Sequence, residues 1–244
     1  MQKTLFWLAA LLSVTSAAAL APAADSPSSP DWPQFRGPGG QGHASPASNP
    51  PVKWSEAKGV VWKRDVAGDG HSSPVVLDGQ VWVTTAARDG SALGAVAVDF
   101  GSGRPLHSVT LFRPRDVLEI HHDNSYASPT PVIEPGRIYC HYGRYGTACI
   151  ETSTGEVLWK CNELVIQHGG GPGSSPVVYG DHLIVNCDGA DAQYVVALDK
   201  HTGQIAWKST RSGPYRKDPI THRAFSTPLL IEHNGRTQLI SPGA

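Results

Sequence analysis

A short cassette recurs three times along this chain, and a repeat at such a spacing constrains the fold more than any other feature of the sequence. Each copy is a polar turn that ends in glycine and leads into a short apolar segment. The three copies run from Asp99 to Gly103, from Glu151 to Gly155 and from Asp199 to Gly203. The final glycines are about 50 residues apart, a period typical of propeller blades and not of two-helix repeats.

A second element, in which a proline follows small polar residues and precedes apolar ones, lies upstream of each turn. Its copies begin at Ser72, Ser128, Ser174 and Ser226. Proline is tolerated in the innermost strand of a blade, because that edge of the sheet has no inward partner. The fold class that we predict is all-β, a β-propeller of four-stranded antiparallel blades. Three blades are expected near residues 71–112, 124–165 and 171–211, with part of a fourth from about residue 223.

The third copy, Ala-Leu-Asp-Lys-His-Thr-Gly-Gln-Ile-Ala-Trp from Ala197 to Trp207, resembles the pyrroloquinoline-quinone (PQQ)-type propeller repeat of the quinoprotein alcohol dehydrogenase-like superfamily. The likeness extends from about Trp62 to the C-terminus, and several copies fall in register. It implies that Trp159 and Trp207, each placed four residues after a turn glycine, dock between neighbouring blades. The turn glycines that the repeat makes structural are Gly103, Gly155 and Gly203.

The same resemblance bears on completeness, because members of this superfamily usually close seven or eight blades into a ring. Three blades and part of a fourth cannot close, so we interpret the chain as the N-terminal part of a longer protein. Val60 to Lys63 is similar to an outermost blade strand that lacks its inner partners. We expect it to complete a final blade built from residues beyond Ala244.

The N-terminal region divides into two segments before the propeller of residues 59–244. Lys3, an apolar run and small residues around Ala19 and Ala23 indicate a secretory signal peptide over residues 1–24. Residues 25–58, rich in Ser, Pro and Gly, are expected to form a loosely ordered lead-in. Its segment from Asp31 to Pro38 resembles the one that precedes the propeller in exported members. We therefore expect an exported protein, periplasmic or extracellular, with no membrane span after cleavage.

Charge says little about partners. The chain has 20 basic and 21 acidic residues and no basic run, so the sequence favours no nucleic-acid partner.

Four cysteines in an exported chain raise the question of a disulfide. A hairpin centred between Arg144 and Tyr145 would place Cys140 opposite Cys149. One interpretation is a bridge between them; the other is that both are small buried residues. Cys161 and Cys187 are expected in strand cores.

The resemblance also names a cofactor. Quinoprotein dehydrogenases of this fold hold PQQ between a tryptophan and two adjacent cysteines, with a bound calcium ion. No two cysteines are adjacent here, and the oxygen donors Glu119, Asp123 and Asn124 do not follow the pattern of the superfamily. We expect no cofactor, and PQQ with calcium is the alternative.

Histidines recur in the loops that lead into the innermost strands, and these loops line one mouth of a propeller. Converging imidazoles bind transition metals or anionic ligands, whereas scattered loop histidines cap backbone groups. The candidate metal cluster consists of His71, His121, His122, Asp123, His168 and His222.

Taken together, these features favour an exported, non-catalytic propeller that binds or scaffolds a protein or small molecule at its mouth. Two alternatives remain open. One is a PQQ-dependent oxidoreductase whose other site residues lie beyond the C-terminus. The other is a metal-dependent enzyme that uses the histidines of the mouth.

Overall fold

The computed structural model describes residues 31–46, 48–164, 166–213 and 215–243. The predicted signal peptide, residues 1–24, lies outside them. Within the described residues, no helix has the length and apolar composition that crossing a bilayer requires.

The described residues form four antiparallel sheets, which confirms the predicted all-β class. Three sheets have four strands and the fourth has two, and in every sheet the strands are neighbours in chain order. The strands are β1 Val75–Leu77, β2 Gln80–Ala86, β3 Leu93–Asp99, β4 Pro105–Phe112, β5 Val132–Glu134, β6 Arg137–His141, β7 Thr147–Glu151, β8 Val157–Cys161, β9 Val177–Tyr179, β10 His182–Asp188, β11 Gln193–Asp199, β12 Ile205–Thr210, β13 Leu229–His233 and β14 Arg236–Ile240. Short 3-10 turns span Pro38–Gly40, Gly143–Tyr145 and Pro219–His222. Each four-stranded sheet falls within one predicted blade, so β1–β4, β5–β8 and β9–β12 are called blades 1, 2 and 3.

The repeated proline element links the inner strands of neighbouring blades through side-chain hydroxyls. The residue before the proline accepts a hydrogen bond on its hydroxyl from the backbone N–H of the equivalent residue one blade earlier. Ser73 N–H donates to Thr130 Oγ1 at 2.9 Å, and Thr130 N–H donates to Ser175 Oγ at 3.0 Å. Ser175 N–H donates to Thr227 Oγ1 at 3.1 Å. We call this series the hydroxyl relay, and it explains why serine or threonine precedes each proline.

The recurring turn between the third and fourth strands of a blade is built by its carboxylate and its glycine. Asp199 Oδ1 accepts the backbone N–H groups of His201 and Thr202 at 2.8 and 2.9 Å, and these bonds lower the pKa of Asp199. Gly203 ends the turn with φ of +75°, which favours glycine. Glutamate replaces the aspartate in blade 2, where Thr154 Oγ1 donates to Glu151 Oε2 at 2.6 Å.

A tryptophan of one outer segment docks on the turn of the next blade, as the superfamily resemblance implies for Trp159. Its indole Nε1 donates to the Lys200 carbonyl at 2.9 Å, and the side chain is only 9% exposed. The ring lies where a Cβ on Gly203 would be, so the glycine also provides space. Trp62 repeats the arrangement on blade 1, donating to the Phe100 carbonyl at 2.8 Å.

The equivalent positions in blades 1 and 3 differ from this pattern. His107 replaces tryptophan in blade 1, stacks on Trp82 and packs against Gly155 of the next turn. Trp207 does not act as an interblade anchor within these residues, because its side chain is 38% exposed. The fourth sheet contains two strands and therefore no turn equivalent to the one that covers Trp159.

The apolar core lies between blades, and alternation along the strands directs side chains of blade 2 to both neighbours. Ile138 and Cys140 belong to the cluster shared with blade 1, whereas Tyr139 and Cys149 belong to the cluster shared with blade 3. The two cysteines therefore lie on opposite faces of one sheet.

The prediction that Cys140 faces Cys149 is consequently wrong, and both thiols are free and buried. The 3-10 turn at 143–145 centres the hairpin on Arg144, which pairs Cys140 with Ala148 and Cys149 with Tyr139. A shift of one residue exchanges the faces of a strand. Burial raises the pKa of Cys149 to about 12.

The lead-in, expected to be loosely ordered, makes specific backbone bonds to the inner strands. Trp32 pairs with Val76 of β1 through two hydrogen bonds of 2.8 and 2.9 Å, and Ile133 of β5 donates to the Pro33 carbonyl at 2.8 Å. Further along, Gly40 lies close to Leu229 of β13. The segment therefore covers the free edges that the inner strands turn toward the propeller axis.

Candidate functional site

Three adjoining cavities lie where the loops enter the inner strands. The first, the histidine cavity, has a volume of about 450 Å³. Its principal polar side chains are Asp69, His71, Arg88, His121 and His122.

The second cavity, the glycine groove, has a volume of about 530 Å³. Glycines and Pro172 of the segment 169–173 form one side, and Ile220, Arg223 and Phe225 form the other. Phe225 and Ile220 are 47% and 54% exposed. His121 and Asn124 line both this groove and the histidine cavity, so the two are continuous.

The third cavity, the interblade pocket, is narrow, with about 20 Å³ of space, room for about one water molecule. His141, His168 and Ser174 are among its lining residues. The His168 Nε2 atom lies 3.5 Å from the Ala224 carbonyl oxygen. His168 Nδ1 and Ser174 Oγ are buried without a partner among the described residues.

Burial keeps both histidines of the interblade pocket neutral. It lowers the pKa of His141 to about 4 and lowers that of His168. His141 is held by a hydrogen bond of 2.8 Å between its Nδ1 and Thr147 Oγ1. The pocket thus offers uncharged nitrogen and hydroxyl groups in a narrow space.

The predicted six-residue metal cluster is divided by the structure. His121, His122 and Asp123 have ligand atoms within 4.8 Å of one another, and His71 lines the same cavity as the two histidines. His168 instead lies edge-on to Phe225, with ring centroids 4.5 Å apart. The His222 Nε2 atom bonds the Arg216 carbonyl at 2.6 Å. The His168 ring is held by the segment around Phe225 and the His222 ring by its own loop, so neither joins the other histidines.

One oxygen donor considered above, Asn124, does not fit a calcium ion such as the dehydrogenases hold. Its side-chain amide is used entirely by its own loop and by the segment 169–173. Its Nδ2 donates to the carbonyls of Gly170 and Pro172, and its Oδ1 accepts from Ser125 N–H and Ser128 Oγ. An amide with both ends occupied has no oxygen to give to a calcium ion.

Sequence reasoning missed several residues that line the cavities. Phe225 and Ile220 lie in a segment without strand periodicity, and nothing local marks them as a groove wall. His141 belongs to a strand, where a histidine is easily taken for a surface residue. The one usable signal was the glycine run at 169–173, whose open backbone leaves room for a groove.

The blades, the recurring turn and the docked tryptophan together define a propeller of PQQ-type repeats. A family model described as outer membrane protein assembly factor BamB matches residues 93–230. This match includes β3 and β4 of blade 1, all of blades 2 and 3 and the start of the fourth sheet. The chain belongs to this family.

Solved structures agree on the fold. The chain is similar to a quinohemoprotein alcohol dehydrogenase from Comamonas testosteroni, with 19% identity and a TM-score of 0.53, over 74% of this chain and 27% of that one. A second quinohemoprotein alcohol dehydrogenase, from Pseudomonas putida HK5, has 16% identity and a TM-score of 0.47, over 69% and 28%. BamB from Moraxella catarrhalis has 19% identity and a TM-score of 0.42, over 61% and 38%.

The chain thus spans 27% to 38% of these three structures. At such identities the likeness concerns the fold alone. A comparison with curated proteins found no match.

Proposed function

We propose that this protein is an exported, non-catalytic propeller that binds another protein through the surface formed by the glycine groove and the histidine cavity. Its place of action is then the periplasm or the extracellular space. The N-terminal sequence features support export, and the name of the matching family, an outer membrane protein assembly factor, agrees with that location.

The observation that carries the proposal is the family match over residues 93–230, since an assembly factor acts by binding other proteins. That range contains most of the loops that build the glycine groove and the histidine cavity. The proposal is therefore made for the region that the match covers.

The groove has the composition of a protein-binding surface. Phe225 and Ile220 offer partly exposed apolar side chains, and Arg223 lies between them in the sequence. Aromatic and arginine side chains carry much of the binding energy at protein interfaces. The cysteines support the non-catalytic part of the proposal. Burial raises the pKa of all four thiols and keeps them protonated, so none is a ready nucleophile.

Position-specific cross-linking tests the proposal. A photoreactive amino acid at Ile220, beside the groove, is expected to give a discrete protein adduct in the native cell. The same group at Asn234 is the matched control, because that exposed residue lies in the turn of the β13–β14 hairpin, at the end of β13 away from Phe225. Phe225→Ala should weaken the adduct at residue 220. Equal adducts at both positions, or none at either, would contradict a binding role for the groove.

Reconstitution distinguishes the alternative. The purified protein is incubated with PQQ and calcium, and reduction of an electron-accepting dye is followed with a series of alcohols. We expect no cofactor-dependent reduction. Saturable PQQ binding with alcohol-dependent reduction would replace the scaffold proposal by a quinone-dependent oxidoreductase.

A further inference from the structure

Three consecutive side chains on one loop, His121, His122 and Asp123, are arranged as a set of metal ligands. Asp123 Oδ2 lies 3.3 Å from His122 Nε2 and 3.7 Å from His121 Nδ1. Ligands about 2.0–2.1 Å from a tetrahedral ion are separated by about 3.3 Å. The two separations from Asp123 are therefore at or near this value, and all three ligand atoms lie within 4.8 Å of one another.

The Nδ1 atom of His121 accepts a hydrogen bond from the loop, as an atom with a free lone pair does. Asp123 N–H donates to His121 Nδ1 at 3.3 Å. A backbone N–H can only donate, so Nδ1 presents a lone pair and no proton toward Asp123. This long bond is readily exchanged for coordination to an ion.

The loop is held in this shape from below by backbone and amide bonds. Asn124 N–H donates to the His121 carbonyl at 2.8 Å, which closes a turn over the three residues. The Asn124 amide then fastens the turn to the carbonyls of Gly170 and Pro172, at 2.6 and 3.2 Å. The three side chains are exposed while their backbone is fixed, and a fixed backbone reduces the entropy that binding must overcome.

An exposed ion pair explains this arrangement less well. Such pairs contribute about 0–1 kcal/mol, which is a weak reason for two imidazole rings to lie 4.2 Å apart beside one carboxylate. Like charges on both rings would repel, whereas a shared cation would be attracted by all three groups. Three protein ligands also leave the fourth position of a tetrahedral ion free for water or for a donor from the histidine cavity.

We propose that His121, His122 and Asp123 bind one divalent transition-metal ion of the Zn²⁺ class. Two imidazoles and a carboxylate suit Zn²⁺, Cu²⁺ and Ni²⁺, whereas Ca²⁺ and Mg²⁺ prefer sets of oxygen ligands. The site goes beyond the proposed scaffold function and does not depend on it.

Zinc titration of the purified protein, without a histidine tag and after chelator treatment, tests the site. Competition with a chromophoric zinc chelator should report one saturable site, with no displacement by equal concentrations of Ca²⁺. His122→Ala and Asp123→Asn should each weaken zinc binding by about 100-fold or more. Loss of a group that only hydrogen-bonds to a ligand already costs about 10- to 100-fold, and these residues are the ligands themselves. His233→Ala, which removes an exposed histidine at a distant hairpin, should leave the affinity unchanged.

Cobalt substitution gives a second measurement that does not depend on affinity. Co²⁺ in the site should show the visible absorption of a low-coordinate ion, and His122→Ala should abolish it. Because all three side chains are exposed, the variants should keep the wild-type thermal unfolding curve. A protein that binds no zinc saturably, or variants that bind it like wild type, would overturn the proposal.

Discussion

The docking of Trp159 on the turn of blade 3 can be tested as a coupled pair. Trp159→Ala removes a side chain that is 9% exposed, together with its bond to the Lys200 carbonyl. Truncating a buried tryptophan costs about 3 to 5 kcal/mol of unfolding free energy. We expect a loss in that range, since the indole is the main apolar group between the two blades at this point.

Gly203→Ala perturbs the other side of the same contact. The backbone at residue 203 has φ of +75°, a conformation that costs a non-glycine residue about 1 to 3 kcal/mol. The added Cβ would also overlap the indole of Trp159. In a protein that already carries Trp159→Ala the overlap is gone, and only the backbone cost remains. The double variant should therefore be more stable than the sum predicts, by about 0.5 to 3 kcal/mol.

Urea unfolding followed by circular dichroism measures the four species of this cycle. Trp54→Ala is the matched control, because Trp54 is exposed and its loss should change stability by no more than about 0.5 kcal/mol. Losses that add within about 0.5 kcal/mol would show that indole and turn act independently. A loss for Trp159→Ala equal to that for Trp54→Ala would refute the interblade role.

Three further predictions concern the inner strands and the buried groups. Ser175→Ala removes the acceptor of a buried Thr130 N–H, so the free energy of unfolding should fall by about 1 to 3 kcal/mol in the same urea assay. A change below about 0.3 kcal/mol would contradict the hydroxyl relay. The pKa of His141 is about 4 in the folded protein and about 6.5 when unfolded, so only the unfolded state takes up this proton between those values. The contribution of His141 to the free energy of unfolding is therefore fully present above pH 6.5 and should fall by roughly 3 kcal/mol toward pH 4. Urea titrations at several pH values measure this dependence, and His141→Gln should remove it. Cys140 and Cys149 should react with a thiol reagent only after denaturation, and a disulfide-linked peptide in mass spectrometry would show the register to be different.

The blade architecture was predictable because its determinants are local and repeated. The Asp99 and Asp199 turns each contain their own hydrogen-bond acceptor and their own glycine, and a pattern repeated at a constant period is readable without tertiary information. The docking of Trp159 followed from the superfamily resemblance.

Features that depend on long-range contacts were not predictable in the same way. The position of Cys149 depends on whether a hairpin loop has an even or odd number of residues, which a 3-10 turn decides. His168 was expected in a shared cluster, but a contact with Phe225, far along the chain, sets its orientation. The candidate site was therefore foreseen at His121, His122 and Asp123, where three neighbours in sequence stay neighbours in space.

The hydroxyl relay gives every blade a direction. Thr130 offers its N–H to Ser175 of the next blade and its hydroxyl to the Ser73 N–H of the previous one. Contacts between blades are thus heterologous, and two identical sides cannot satisfy each other by two-fold symmetry. Exchanging or duplicating a whole repeat preserves every donor and acceptor, whereas inserting half a repeat leaves one of each unpaired. A protein of this kind can therefore gain or lose whole blades with every donor and acceptor still paired, because one hydroxyl-bearing residue before each proline supplies both groups.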